Sequence, residues 1–171
     1  NPINYNGGNQ NGSPGDSMSL TGGTPFTTAT YNFDNAHDGS IVLTGNSTIT
    51  YTELEPITST ITAADVLLNY SNTSETITTT SAGAGQTTVN STAGEVVTFN
   101  NPTNSLTINP GLTIDFVLVE GLGSGFDADF IINSSQVTFQ TNATDIGSGN
   151  LMVTAGLITI DADISSTGNF T

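Results

Sequence analysis

Val97-Thr98-Phe99, Val117-Leu118-Val119, Val137-Thr138-Phe139 and Ile158-Thr159-Ile160 recur about twenty residues apart, each with two apolar side chains flanking one outward position. A second series, Leu106-Thr107-Ile108, Phe130-Ile131-Ile132 and Leu151-Met152-Val153, interleaves with the first. Alternation at period two with β-branched residues is the pattern of half-buried strands. Gly, Asn, Asp or Ser falls in nearly every gap, so each run reads as a short strand closed by a turn. Spacings of about 20–30 residues with two or three strands per repeat predict stacked coils, because one coil cannot bury its apolar face alone.

The fold class expected is therefore all-β. A parallel β-helix, or β-solenoid, is expected over residues 61–171, with inward Val, Ile, Leu and Phe and outward Thr, Ser and Asn. Asn also suits left-handed corners between the faces. The alternative is a β-sandwich with strands every 8–12 residues or so. Residues 1–24 are rich in Asn, Gly and Ser and read as a loop-rich opening segment, with a short strand at 17–20 that is a candidate for pairing with another subunit. Residues 25–60 read as a hairpin-like spacer turning at Gly45-Asn46. The only helix candidate is short, around residues 62–68.

Composition narrows the function. The chain has 171 residues, no Lys or Arg, fifteen Asp and Glu, and a single His37, giving a formal charge of −15. Ordinary domains carry about 25% charged residues of both signs. Without basic residues there is no footprint for nucleic acid, no polybasic patch for anionic lipid, and no cationic clamp for phosphate or acidic sugars. Polysaccharide lyases, which use β-helices but need Lys or Arg, are excluded on the same ground. No Cys means no disulfides, no thiolate zinc site and no thiol nucleophile. No apolar run reaches the roughly 18 residues of a membrane helix, so no direct membrane insertion is expected. Asn1-Pro2-Ile3-Asn4 lacks the basic start of a signal peptide, and trypsin has no bond to cut. A proteolytic core of a longer protein would have this composition.

Glu95-Val-Val-Thr-Phe-Asn-Asn-Pro-Thr-Asn-Ser-Leu-Thr-Ile-Asn109, Gly121-Leu-Gly-Ser-Gly-Phe-Asp-Ala-Asp129 and Asp145-Ile-Gly-Ser-Gly-Asn-Leu-Met-Val153 resemble repeats of very large secreted bacterial β-helix proteins. These are planctomycete-type surface proteins, similar to filamentous-haemagglutinin-like adhesins. The resemblance extends from about Gly15 to Thr171, and its motifs are individually of low complexity. It implies an extracellular or cell-surface role, in an adhesin or matrix fibre, with no catalytic residues to carry over. Where members of that family have repeated Gly-Gly-x-Gly-x-Asp nonapeptides, this chain has Gly121-Leu-Gly-Ser-Gly-Phe-Asp127 alone.

Carboxylates are the only ionisable groups in quantity. Asp127 and Asp129 flank Ala128, and Asp161 and Asp163 flank Ala162. Residues i and i+2 share a face of a strand, so each pair is a candidate for holding calcium, with solvated strand ends as the plainer reading. Asn-x-Ser/Thr sequons at Asn11, Asn46, Asn69, Asn72, Asn90, Asn133, Asn142 and Asn169 are candidate glycosylation sites, in modest excess over what this composition scatters by chance. His37 lies between Asp34 and Asp38 in a segment that reads as a turn. Glu53 and Glu55 flank Leu54 without any aromatic platform for a sugar, which argues against a glycosidase. Thr-x-Thr runs are too irregular for an ice-binding array.

The sequence thus points to a non-enzymatic, extracellular structural protein needing no cofactor, calcium being the one candidate ion. Self-association into filaments, or contact with other segments of one large protein, is the expected partnership. Nothing polar enough to cap a coil follows Phe170-Thr171, so head-to-tail stacking or continuation is expected. A calcium- or glycan-binding surface module is the alternative.

Overall fold

Thr, Val and Ile at period two leave the backbone extended, and strands follow almost wherever that pattern runs. The computed structural model describes residues 3–8, 16–71, 73–83, 85–111 and 114–171. In chain order the strands are β1 (Ile3–Asn6), β2 (Met18–Leu20), β3 (Phe26–Phe33), β4 (Gly39–Leu43), β5 (Ile49–Thr52) and β6 (Ile57–Ser59). They continue as β7 (Ala63–Tyr70), β8 (Thr76–Gly83), β9 (Gln86–Ser91), β10 (Val97–Asn100), β11 (Ser105–Asn109) and β12 (Phe116–Val119). The last are β13 (Asp129–Asn133), β14 (Gln136–Phe139), β15 (Thr144–Asp145), β16 (Leu151–Thr154), β17 (Leu157–Ile160) and β18 (Ile164–Ser165). The protein is all-β. Among the described residues no helix is long and apolar enough to cross a membrane.

Two eight-stranded sheets hold nearly all of it. The first has the order β1-β5-β4-β3-β7-β11-β13-β16, the second β17-β14-β12-β8-β9-β10-β6-β2, and β15 pairs with β18 apart from both. From β11 onward the chain moves to a different sheet after every strand. Neighbours in this part are parallel: β7, β11, β13 and β16 on one side, β8, β12, β14 and β17 on the other. Bonded side chains on adjacent strands are separated by 24 residues at Asn109–Asn133, 21 at Asp129–Asn150 and 20 at Glu120–Gln140. The step is 40 at Asn69–Asn109, because β9 and β10 lie between.

Register turns these steps into continuous rows. Ile3, Ile49, Ile41, Tyr31, Leu68, Ile108, Ile132 and Val153 are successive partners across the whole first sheet. Met18, Ile57, Val97, Val89, Thr79, Val119, Phe139 and Ile160 do the same across the second. The middle members of both rows are buried in one apolar cluster. Aromatic rings pack within it, Phe33 stacking on Tyr70 with centroids 4.7 Å apart.

Several expectations are corrected. Residues 62–68 are not helical: they belong mostly to β7, where Val66, Leu68 and Tyr70 are buried and Asp65, Leu67 and Asn69 point outward. The step from Val97 to Val117 is not between adjacent strands. Val97 pairs with Val89 and Ile57, and Val117 with Ile77, because β8, β9 and β10 form an antiparallel excursion within the second sheet. Gly83 and Gly85, both at φ +75, make that reversal possible. Asn is not the corner residue either. Among the described residues the positive-φ positions are glycines plus Glu53 and Thr141.

The hairpin at Gly45-Asn46 joins β4 and β5 as expected, and with β3 it forms an antiparallel stretch of the first sheet. In the opening segment, β1 pairs with β5 and β2 with β6 of the same chain. The turn-rich residues 9–15 lie outside the described residues.

Inward and outward positions should respond differently to truncation. Phe130→Ala removes a buried ring from between Leu106 and Leu151 and should cost about 3–5 kcal/mol. Thr107→Ala on the outer face should stay within about 0.5 kcal/mol. Urea unfolding checks both, and equal costs would contradict the assigned faces.

Candidate functional site

Every outward acid next to a backbone N–H in this chain is available as an acceptor, because no Lys or Arg competes for it. The first predicted calcium pair shows the consequence. Asp127 Oδ1 accepts the Ser148 backbone N–H, which holds its carboxyl below the usual carboxylate range. Asp129 Oδ1 accepts both the backbone N–H and the side-chain amide of Asn150, each at 2.8 Å. Both acids thus use an oxygen to clamp the segment one step further along. Close approach is possible because residues 147 and 149 are glycines. A Cβ on Gly149 would sit 1.9 Å from the Ala128 carbonyl oxygen, and one on Gly147 2.5 Å from Asp127 Oδ1. Asp161 and Asp163 follow β17 and are exposed. Among the described residues no three His, Cys, Asp or Glu side chains gather as a metal ion would require.

Asparagine builds the longest polar feature. Asn69 donates its amide to Asn32 Oδ1 at 2.9 Å, Asn109 to Asn69 at 3.0 Å, and Asn133 to Asn109 at 2.8 Å. The ladder crosses four strands on the outer face of the first sheet. A parallel one joins Asn169 to Asn150 and Asn150 to Asp129. Of the sequon residues, Asn69, Asn133, Asn142 and Asn169 therefore donate through the nitrogen a glycan would occupy. Asn46 and Asn90 are exposed on turn and strand surface. Asn11 and Asn72 lie outside the described residues.

His37 is fixed in a turn. Asn35 Oδ1 accepts the backbone N–H of His37 at 2.8 Å and of Asp38 at 3.0 Å. Its ring Nδ1 is 3.2 Å from Glu55 Oε1, both side chains being about half exposed. Glu53 and Glu55 lie beyond the end of β5 rather than on a strand face, with Leu54 buried between them.

Three acids escaped the sequence reading: Glu75, Glu95 and Asp115 are buried. A signal was available, since each stands two residues before an inward apolar position, at Ile77, Val97 and Val117, and so shares its inward parity. Asp115 Oδ1 accepts the Glu75 N–H at 3.1 Å, and Ser91 donates its hydroxyl to Glu75. Glu75 Oε1, Glu95 Oε2 and the hydroxyls of Tyr51 and Tyr70 have no hydrogen-bond partner. Burial raises the Glu75 carboxyl, opposed by Ser91 and reinforced by Asp115. Burial pushes Glu95 up to about 8, opposed by the Val96 N–H and reinforced by Glu55. Burial also raises Tyr51 and Tyr70.

At the last strands the interior is uncovered. A cavity of about 580 Å³ opens there between Phe139, Leu151, Val153, Ile158, Ile160 and Phe170. Comparison with known protein families, curated proteins and solved structures found no match.

Folded Glu95 keeps its proton to about pH 8, whereas the unfolded chain releases it near 4.5. The folded state thus binds more protons across this window, so stability falls as pH rises from 4.5 to 8 and levels off above it. Thermal unfolding by circular dichroism should give a lower Tm at pH 8 than at pH 5. Glu95→Gln should shrink the difference; a variant with the wild-type difference would contradict a buried, protonated Glu95.

Proposed function

We propose that the chain is a non-enzymatic structural protein of the cell surface or extracellular matrix, built as a parallel β-helix segment with antiparallel excursions. The observation that carries this reading is the row-by-row register: the same inward and outward positions recur on successive parallel strands, with the chain changing sheets between them. Such an assembly gains stability from each added coil and presents long, regular polar faces. Asparagine ladders and clamping acids fill those faces, leaving few side chains free for chemistry. His37 supports this too, since its nearest acid is a half-exposed Glu55 outside any cleft of nucleophile and base.

An extracellular setting agrees with the composition. A chain without Lys or Arg offers trypsin-like proteases no site, and its negative charge keeps it soluble. Self-association is the expected partnership.

Antibodies raised against the chain should label the surface or matrix of intact cells of the source, and glycan arrays and calcium titrations should show no saturable binding. Label confined to the cell interior would contradict the proposal. Saturable glycan binding, or a Tm that rises with calcium, would favour a ligand-binding surface module instead.

A further inference from the structure

The buried acids and tyrosines form one polar layer between the sheets. On the second sheet, Glu75 and Asp115 stand one step before the partners Thr76 and Phe116, and Glu95 continues the β10–β9 register to a place opposite Ser91. From the first sheet come Tyr70 on β7 and Tyr51 on β5, the latter lying over Gly39, where a Cβ would be 2.5 Å from the Tyr51 hydroxyl. Glu95 acts electrostatically on Tyr51, Glu75 acts on Tyr70, and the two phenols act on one another.

A short turn closes this layer. Residues 92–96 join β9 to β10, with Thr92 exposed and Gly94 and Glu95 buried. Gly94 rests on the Tyr70 ring so closely that a Cβ would sit 2.9 Å from two ring carbons. Ser91 Oγ accepts the N–H groups of Ala93 and Gly94 at 3.1 and 3.0 Å and donates its proton to Glu75. The Thr92 N–H donates to the Thr76 carbonyl at 3.1 Å, and the Thr76 N–H donates to Thr92 Oγ1 at 3.0 Å. Glu95 Oε1 accepts only the N–H of the next residue, Val96, and Oε2 is buried without a hydrogen-bond partner.

We propose that the turn 92–96 is a latch released by rising pH: it lies closed over Tyr70 and Tyr51 while Glu95 is uncharged, and lifts when Glu95 ionises. The groups around Glu95 offer its charge no relief. Glu55 faces it from the connection before β6, Tyr51 from β5 and Ser91 from β9. Asp34 and Asp38 act on Tyr51 from behind, and Glu75, Asp115 and Tyr70 lie beyond Ser91. The chain has no Lys or Arg, and its one His, His37, is already beside Glu55. Water is what remains to solvate the carboxylate, and the closed turn keeps water out. Lifting one turn disrupts far less structure than parting two eight-stranded sheets, so release precedes unfolding.

The closed turn holds the Glu95 proton to about pH 8, and the lifted turn gives it up near 4.5. The lifted fraction therefore rises with pH, by up to about tenfold per unit, and levels off above 8. Whole-chain unfolding relieves Glu95 equally, so the place of the opening must be read as well as its pH dependence.

Backbone hydrogen exchange of the whole chain between pH 5 and 8, corrected for the intrinsic rate at each pH, reads both. The amides of Thr92, Ala93 and Gly94 should open more often than those of Ile108 and Ile132 at every pH, and increasingly often towards pH 8. Glu95→Gln, neutral and of the same shape, should flatten that rise. Gly94→Ala, whose methyl group meets the Tyr70 ring, should raise opening already at pH 5. Turn amides that open no more often than Ile108 and Ile132 would overturn the proposal, since the turn would then move only with the whole fold. So would wild-type turn opening that is independent of pH, or a Glu95→Gln variant that keeps the wild-type rise.

Discussion

No strand in this protein can bury its own apolar residues; its neighbours in the same sheet and the strands of the other sheet must do it, in one shared apolar cluster. That constraint governs the rest of the structure. It demands that every strand keep the same parity inward, which the Val-Thr-Phe and Leu-Thr-Ile alternation supplies. It also demands that neighbours, parallel or antiparallel, hold residue register, since a one-residue slip would turn a whole row outward. The rows from Ile3 to Val153 and from Met18 to Ile160 show it satisfied across both sheets. In the second row the inward positions are exposed at β17, where Ile158 and Ile160 are 46% and 63% exposed.

Lacking positive charge, the chain must satisfy its polar groups by other means. Amide ladders take the place of ion pairs on the outer face of the first sheet, where Asn32, Asn69 and Asn109 each donate and accept. Asp127 and Asp129 accept backbone and amide N–H groups of the segment that follows, in place of the basic side chains that carboxylates otherwise meet. Glu95, facing inward with no cation to meet, holds its proton up to about pH 8, and burial raises the Glu75 carboxyl in the same direction. One compositional fact thus gives the protein its outer regularity and a pH-sensitive interior.

Much of this was legible before the fold was known. Period-two alternation identified most strands, and the twenty-residue recurrence falls on adjacent parallel strands at β12, β14 and β17. It failed at Val97 because an antiparallel excursion preserves inward parity while breaking adjacency, and parity alone cannot tell the two apart. The strands β6, β15 and β18 are two or three residues long, too short for alternation to register, and their pairing alone defines them. The apolar run in residues 62–68 suits a helix turn as well as a strand until β3 and β11 enclose it. At the candidate sites, spacing singled out Asp127 and Asp129 as a strand-face pair, whereas Asp127 precedes β13 and only Asp129 lies in it. It could not show that their oxygens meet backbone and amide groups some twenty residues later in the chain.

Contacts between backbone protons across strands test the account most directly. Nuclear Overhauser effects should connect Ile108 to Ile132 and Ile132 to Val153, and likewise Val117 to Val137 and Val137 to Ile158. A pattern linking strands consecutive in sequence, β11 to β12 or β13 to β14, as the hairpins of a β-sandwich would produce, would contradict it.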